Sequence, residues 1–165
     1  MTGTQVYKVY IKADAKKVWE AITSPEWNNR YGYRGATEMD LRPGGKIVGR
    51  SNAGMIAMGA PEVGTDGEVL EVDPPNKLVQ TFRMLMDPNV AAEGFTKLTY
   101  ELKEGKDGVT ALTVTHELDN APGMAQVMAG AFEEMGAGGG WPWILSDMKS
   151  VLETGKGFGD EEKAD

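Results

Sequence analysis

One histidine, His116, is the only side chain in this 165-residue sequence whose ordinary pKa suits proton transfer near neutral pH. It sits in a run, residues 109–118, where Leu112, Val114, His116 and Leu118 alternate with Ala111, Thr113, Thr115 and Glu117. Period-two alternation puts the imidazole on the apolar face of a strand. There it is either a proton carrier, with Tyr100 or Tyr33 as hydrogen-bond donor, or a core histidine whose nitrogens are satisfied by packing partners. Other chemistries find fewer parts. The chain has no cysteine, which removes thiolate nucleophiles, disulfides and cysteine metal sites. One histidine cannot make a two-histidine metal site, and His116-Glu117-Leu118-Asp119-Asn120 lacks the second histidine of a zinc-protease helix. Gly49-Arg50-Ser51-Asn52-Ala53-Gly54 lacks the spacing of a serine-hydrolase elbow and lies among strands. Gly136, Gly138 and Gly140 follow a helix, and no phosphate-binding lysine comes after them. No carboxylate pair stands out by spacing, so no catalytic residue is assigned, with His116 the single weak candidate.

The element that must position these residues is the amphipathic stretch 140–155. Trp141, Leu145, Met148 and Leu152 share a stripe, flanked by Ile144 and Val151, while Ser146, Asp147, Lys149, Ser150 and Glu153 fall opposite. Pro142 suits the helix start and Gly155 a left-handed cap at its end. Trp143 lies about 200° round the helix from Trp141, so only one indole can anchor the buried face, and the stripe selects Trp141.

Upstream, residues 5–13 read as a strand. Asp14 caps a helix with Ala15, Val18, Trp19 and Ile22 on one side, and Ser24-Pro25 restarts a short helical corner ending at Gly32. From 37 to 118 the chain reads as about six strands. Arg42-Pro43-Gly44-Gly45 separates 37–41 from 46–51; Asp66-Gly67 opens 68–72, and Asp73-Pro74-Pro75-Asn76 closes it. Residues 77–85, 96–103 and 109–118 follow, with 52–64 and 86–94 as irregular loops. Residues 122–135 carry Met124, Val127, Met128, Ala131, Phe132 and Met135 at helical spacing. The segment 136–140, four glycines and an alanine, breaks that helix as a connector or a hinge.

Twenty-five acidic against seventeen basic residues give a charge of −8, which repels a phosphate backbone and makes nucleic acid an unsuitable partner. No stretch reaches the ~18 apolar residues of a membrane span, and no basic-then-apolar leader is visible. A cytoplasmic protein is expected. The last six residues hold four acids, one lysine and one alanine, so 159–165 reads as a disordered acidic tail and 1–158 as one domain.

Four motifs together carry a resemblance: residues 13–26, Ala13-Asp14-Ala15 through Trp19 to Ser24-Pro25-Glu26; Asp40-Leu41-Arg42-Pro43-Gly44-Gly45; residues 67–79 around Asp73-Pro74-Pro75-Asn76; and Gly140-Trp141 with Leu145, Met148, Leu152 and Glu153. In this order the chain, from about 5 to 156, resembles START-like (SRPBCC) helix-grip proteins, and more narrowly bacterial homologues of the C-terminal domain of the heat-shock-protein-90 ATPase activator. The resemblance implies an α+β fold, a curved antiparallel sheet gripping a long C-terminal helix with two short helices after the first strand. It implies an apolar cavity between sheet and helix, lined by Tyr33 and by Phe82, Met84, Leu98, Tyr100, Val114 and His116 of the sheet. Met124, Met128, Phe132, Met135, Trp141, Leu145 and Met148 complete it from the helical side. Ten methionines fit either an adaptable pocket or a methionine-rich core. The expected function is binding of a hydrophobic or amphipathic small molecule, such as a lipid, with no cofactor, no metal and no catalysis assigned. The alternatives are a cyclase-like or hydrolase-like enzyme on an aromatic or polyketide substrate, and a chaperone-associated protein-interaction module. A protein partner or a homodimer is compatible with any of these.

Overall fold

Antiparallel hairpins account for most of the chain between residues 36 and 117 in the computed structural model, which describes residues 3–135 and 138–160. After strand β1 (Thr4–Ile11), Asp14 accepts from the Lys17 N–H at 2.8 Å and starts helix α1 (Ala15–Thr23). Ser24-Pro25 begins the one-turn α2 (Pro25–Asn28) at once. Then come β2 (Ala36–Met39), β3 (Lys46–Arg50), α3 (Ala53–Ala57), β4 (Val63–Asp73), β5 (Lys77–Met84), α4 (Pro88–Ala91), β6 (Thr96–Glu104) and β7 (Thr110–Glu117). A short α5 (Pro122–Met128), a 3-10 turn (Glu133–Met135) and α6 (Gly140–Thr154) close the described chain. The seven strands form one open, curved antiparallel sheet in the order β1-β7-β6-β5-β4-β3-β2, the α+β helix-grip arrangement that the sequence implies.

Alternation decides which face of the sheet is covered. Along β7, Thr110, Leu112, Val114 and His116 are buried while Ala111, Thr113, Thr115 and Glu117 are half-exposed, and β6 repeats the pattern with Leu98, Tyr100 and Leu102. α6 lies against β1 and α1 with Trp141, Leu145, Met148 and Val151 buried. Its end is fixed by Gly155 at φ 81°, whose N–H reaches the Val151 carbonyl at 2.9 Å. Trp141 is 4% exposed and Trp143 41%, the latter edge-on to Phe158 at 5.1 Å between ring centroids.

Several elements differ from the sequence reading, each for a local reason. Asp66-Gly67 does not open a strand; both residues lie inside β4, and a Cβ on Gly67 would meet the Thr81 carbonyl oxygen at 2.0 Å, so glycine there admits the neighbouring backbone. The strand that the sequence starts at 68 therefore begins at Val63, and the count of one strand before α1 and six after it stands. Residues 122–135 do not make one helix: the chain turns at Gly130, φ 82°, where a Cβ would sit 2.6 Å from the Gly139 carbonyl oxygen. The irregular segments 52–64 and 86–94 contain α3 and α4, each capped by a side chain, Asn52 to the Met55 N–H and Asp87 to the Asn89 N–H. Pro142 occupies the third position of α6, not the first. Of segment 136–140, Gly136 and Ala137 lie outside the described residues, as do residues 161–165 of the acidic tail.

The largest correction is Asp147, which the helical wheel assigns to the polar side. It is 1% exposed. Its Oδ2 accepts from the Gly32 N–H at 2.9 Å and its Oδ1 from the Phe158 N–H at 2.7 Å. One carboxylate thus ties the loop 31–35 and the segment 157–160 to α6. Val151 takes the deeply buried place that the stripe gave to Leu152, which is half-buried.

Two predictions concern stability. Trp141→Ala is expected to cost roughly 3–5 kcal/mol in denaturant melts, the range for large aromatic truncations in a core, and Trp143→Ala about 1–2 kcal/mol, since its ring is part-exposed and packs mainly on Phe158. Equal losses would overturn this orientation of α6. Asp147→Ala, which leaves two backbone donors unpaired, is expected to cost about 2–4 kcal/mol, with Asp147→Asn costing less because one acceptor oxygen survives. A loss under about 0.5 kcal/mol for the alanine variant, no more than an ordinary surface change, would show that the clasp is idle.

Candidate functional site

His116 is fully buried, and the register explains its neighbours: it faces Leu98 across the β6–β7 ladder, which brings Thr96 of β6 onto the same face one pair further on. The first turn of α6 lays Trp141 over it. The Trp141 Nε1–H donates to His116 Nδ1 at 3.1 Å, His116 Nε2 lies 2.7 Å from Thr96 Oγ1, and Thr96 Oγ1 donates to the Phe82 carbonyl at 3.0 Å. Indole can only donate, so Nδ1 must be the acceptor and Nε2 must carry the proton. Thr96 then accepts from Nε2–H and donates its own hydroxyl hydrogen bond to the Phe82 carbonyl. Phe82 and Trp141 stand edge-on to the imidazole, at centroid distances of 5.6 and 6.0 Å.

Burial lowers the His116 pKa to about 4. At neutral pH the ring is uncharged, and both nitrogens are engaged. This is the satisfied core histidine of the two sequence readings, and the geometry leaves it no free lone pair for proton abstraction. Unfolding restores the ordinary value of 6.5, so between pH 6.5 and 4 the unfolded chain binds more protons than the folded one. The stabilisation is complete above pH 6.5 and lost as pH falls through 4, roughly 3 kcal/mol in all. The carboxyls of Glu153 and Asp160, held below their ordinary 4.5 and 3.8 first by hydrogen bonds from Lys149 and Gly157, begin to act only toward the bottom of that window and below it. Denaturant melts from pH 7.5 to 4.5 are therefore expected to show falling stability for the native chain and a nearly flat profile for His116→Gln, whose amide supplies an acceptor and a donor without titrating. Parallel slopes for the two proteins would refute the assignment.

The space beside this cluster is a cleft of about 190 Å³, open to solvent on one side. Its floor is the β2–β5 part of the sheet, one wall is the loop 31–35 after α2, and Met128, Trp141 and Ile144 close the end under α5 and α6. Of the residues proposed from sequence, Tyr33, Phe82, Met84, Tyr100, Met128 and Trp141 line it. Leu98, Val114, His116, Met124, Leu145 and Met148 do not; they are buried in the core behind it. Phe132 is half-exposed on the turn after α5 and also lies outside the lining, and the side chain of Met135 is outside the described residues. Residues that the sequence did not single out complete the cleft: Tyr31, Met39, Ile47, Met55, Met86 and Gln80. Met39, Met55 and Met86 were missed because they sit at strand ends or in segments without a period.

The surface of the cleft is mainly apolar, and most of the polar side chains in its lining are engaged with neighbouring groups. Burial raises the phenol pKa values of Tyr31, Tyr33 and Tyr100, so all three keep their protons. Tyr31 donates to the Ala21 carbonyl at 2.7 Å, and Tyr33 accepts from the Gly140 N–H at 3.0 Å, which leaves its own proton to give. Asp66 is the one carboxylate in the lining among the described residues and is bound to Arg83 at 2.6 Å. Arg50 faces Glu38 and Glu62, each at 3.6 Å. Arg34, on the wall, pairs with Asp160 at 3.0 Å. Two buried oxygens in the lining, Gln80 Oε1 and Ser51 Oγ, have no partner among the described residues. The described residues hold no group of three His, Cys, Asp or Glu placed to share a metal ion, and no helix among them is long and apolar enough to cross a membrane.

Comparison with known proteins places this geometry. The fold matches CalU16 from Micromonospora echinospora, at 21% identity over 97% of this chain and 77% of that one, with a TM-score of 0.61. It also matches PFC0360w, an HSP90 activator from Plasmodium falciparum, at 20% identity over 91% of this chain and 96% of that one, TM-score 0.63. The Aha1 dimer from Colwellia psychrerythraea gives 20% identity over 93% and 98%, TM-score 0.64. At these identities the likeness is one of fold. Among curated proteins there is no match. The family model for Activator of Hsp90 ATPase homolog 1-like proteins matches residues 12–153, and on that match, which spans most of its length, the chain belongs to this family.

Proposed function

We propose that this protein binds a hydrophobic or amphipathic small molecule in the cleft between the sheet and α6, without acting on it chemically. The observation that carries this reading is the lining: five methionines (Met39, Met55, Met84, Met86 and Met128) together with Tyr31, Phe82, Tyr100 and Trp141 surround a concave space whose surface is mainly apolar. Flexible thioethers and rigid aromatic faces suit an apolar guest. The lining offers no acid–base pair, since Asp66 is neutralised by Arg83 and His116 lies behind the wall with both nitrogens engaged. We take residues 1–158 as the single binding domain, in a cytoplasmic protein, a location that the absence of cysteine supports.

A second reading, a chaperone-associated module, rests on the family's description and on the relative that is an HSP90 activator. A homodimer has similar support from the Colwellia relative. Native mass spectrometry separates these: a co-purified small mass favours the cleft, a stable protein complex with an empty cleft favours the module.

A naphthalene-type fluorescent probe is expected to bind the full chain saturably, with about one site per chain, because pockets of this kind are few. Thr65→Trp, which fills the cleft from β4, should weaken binding by about tenfold or more while far-ultraviolet dichroism stays native. Unsaturable binding, or binding indifferent to the filled cleft, would overturn the proposal.

A further inference from the structure

Strand β5 sends Gln80, Phe82 and Met84 into the cleft in a row, at the period of two. Phe82 and Met84 are half-buried, whereas Gln80 is 2% exposed, so the amide marks the deep end. Its ladder partners, Val69 on β4 and Leu98 on β6, are apolar and buried. Nothing in that ring donates a side-chain hydrogen bond. The orientation of the amide is fixed by chemistry: Nε2 donates to the Thr81 carbonyl at 3.1 Å, and a carbonyl can only accept, so the nitrogen must lie on that side. Oε1 is left as a buried acceptor with no partner among the described residues. A buried acceptor without a donor is costly, and strand β5 could carry an aliphatic residue at this position at no such cost.

Building on the proposed binding cleft, we infer that Gln80 is its polar anchor, and that the occupant is a neutral molecule of one or two rings with a hydroxyl at its buried end. The hydroxyl donates to Gln80 Oε1 while the ring packs among Phe82, Met84, Tyr100 and Met128. The size follows from the volume: a cavity of about 150 Å³ holds benzene, and this one is about 190 Å³ before it opens to solvent. The charge follows from the surroundings. A carboxylate at the buried end would turn its lone pairs toward those of Oε1, while the two guanidinium groups of the described lining are already paired, Arg34 with Asp160 and Arg50 with Glu38 and Glu62. An ammonium would be buried without a counter-ion, because Asp66 is already bound to Arg83. A hydroxyl satisfies the acceptor without importing charge.

Three probes of one shape test this on the full-length chain: 2-naphthol, 2-methylnaphthalene and 2-naphthoate, each titrated by calorimetry or fluorescence. The native protein is expected to bind 2-naphthol about ten- to a hundredfold more tightly than the methyl analogue, which leaves Oε1 unpaired, and to bind the naphthoate most weakly. In Gln80→Met the preference for 2-naphthol should collapse, with the affinity for 2-methylnaphthalene kept or raised and a native melting profile. The comparison within the native protein stands on its own if the variant does not fold. Equal affinity of the native protein for 2-naphthol and 2-methylnaphthalene, or tightest binding of the naphthoate, overturns the role of Gln80 and leaves the binding cleft in place. Saturable binding of none of the three overturns the cleft reading itself, and this inference with it.

Discussion

The hydrogen-bonded chain from Trp141 through His116 and Thr96 to the Phe82 carbonyl is the contact on which the rest of the structure depends. It joins the first turn of the terminal helix to two central strands and ends on the backbone of a third. Each link has one direction, because indole can only donate and a carbonyl can only accept. The neutral imidazole accepts on one side and donates on the other in one rigid ring. Its burial is what lowers its pKa, and the lowered pKa is what keeps the directions consistent. The same contact sets the cleft, since Trp141 and Phe82 flank the imidazole and also line the open space.

Much of this was legible in the sequence where a regular period carried the information. The alternation around His116 gave its inward direction, and the stripe from Trp141 gave the buried face of the last helix, because both signals repeat with the geometry of their element. Asp147 was not legible. On the helical wheel it is a polar residue among polar residues, and its two partners lie in other segments, one of them 115 positions away. Gly67 misled for the converse reason: an Asp-Gly pair marks a turn by local chemistry, but this glycine is required by the close approach of β5, which no local window contains.

The candidate site divides along the same line. The sequence reading collected apolar residues on the inner face of the sheet and on the helices, and this set covers both the core and the cleft. What separates the two is curvature and the path of the loop 31–35, which stands away from the sheet at the β2–β5 side and leaves Met39, Met55 and Met86 facing open space. Leu98, Val114 and Met148, equally apolar, lie where the sheet and α6 meet. Hydrophobicity ranks residues by burial, not by whether the neighbour is protein or guest.

Asp147 has a consequence beyond stability. Its two oxygens bind the wall of the cleft, at Gly32, and the segment after the terminal helix, at Phe158. Motion of the wall therefore pulls on the same carboxylate that holds the later segment. Solvent exchange of the Phe158 amide proton becomes a remote gauge of the cleft: a guest that stiffens the loop 31–35 slows exchange at a site it never touches.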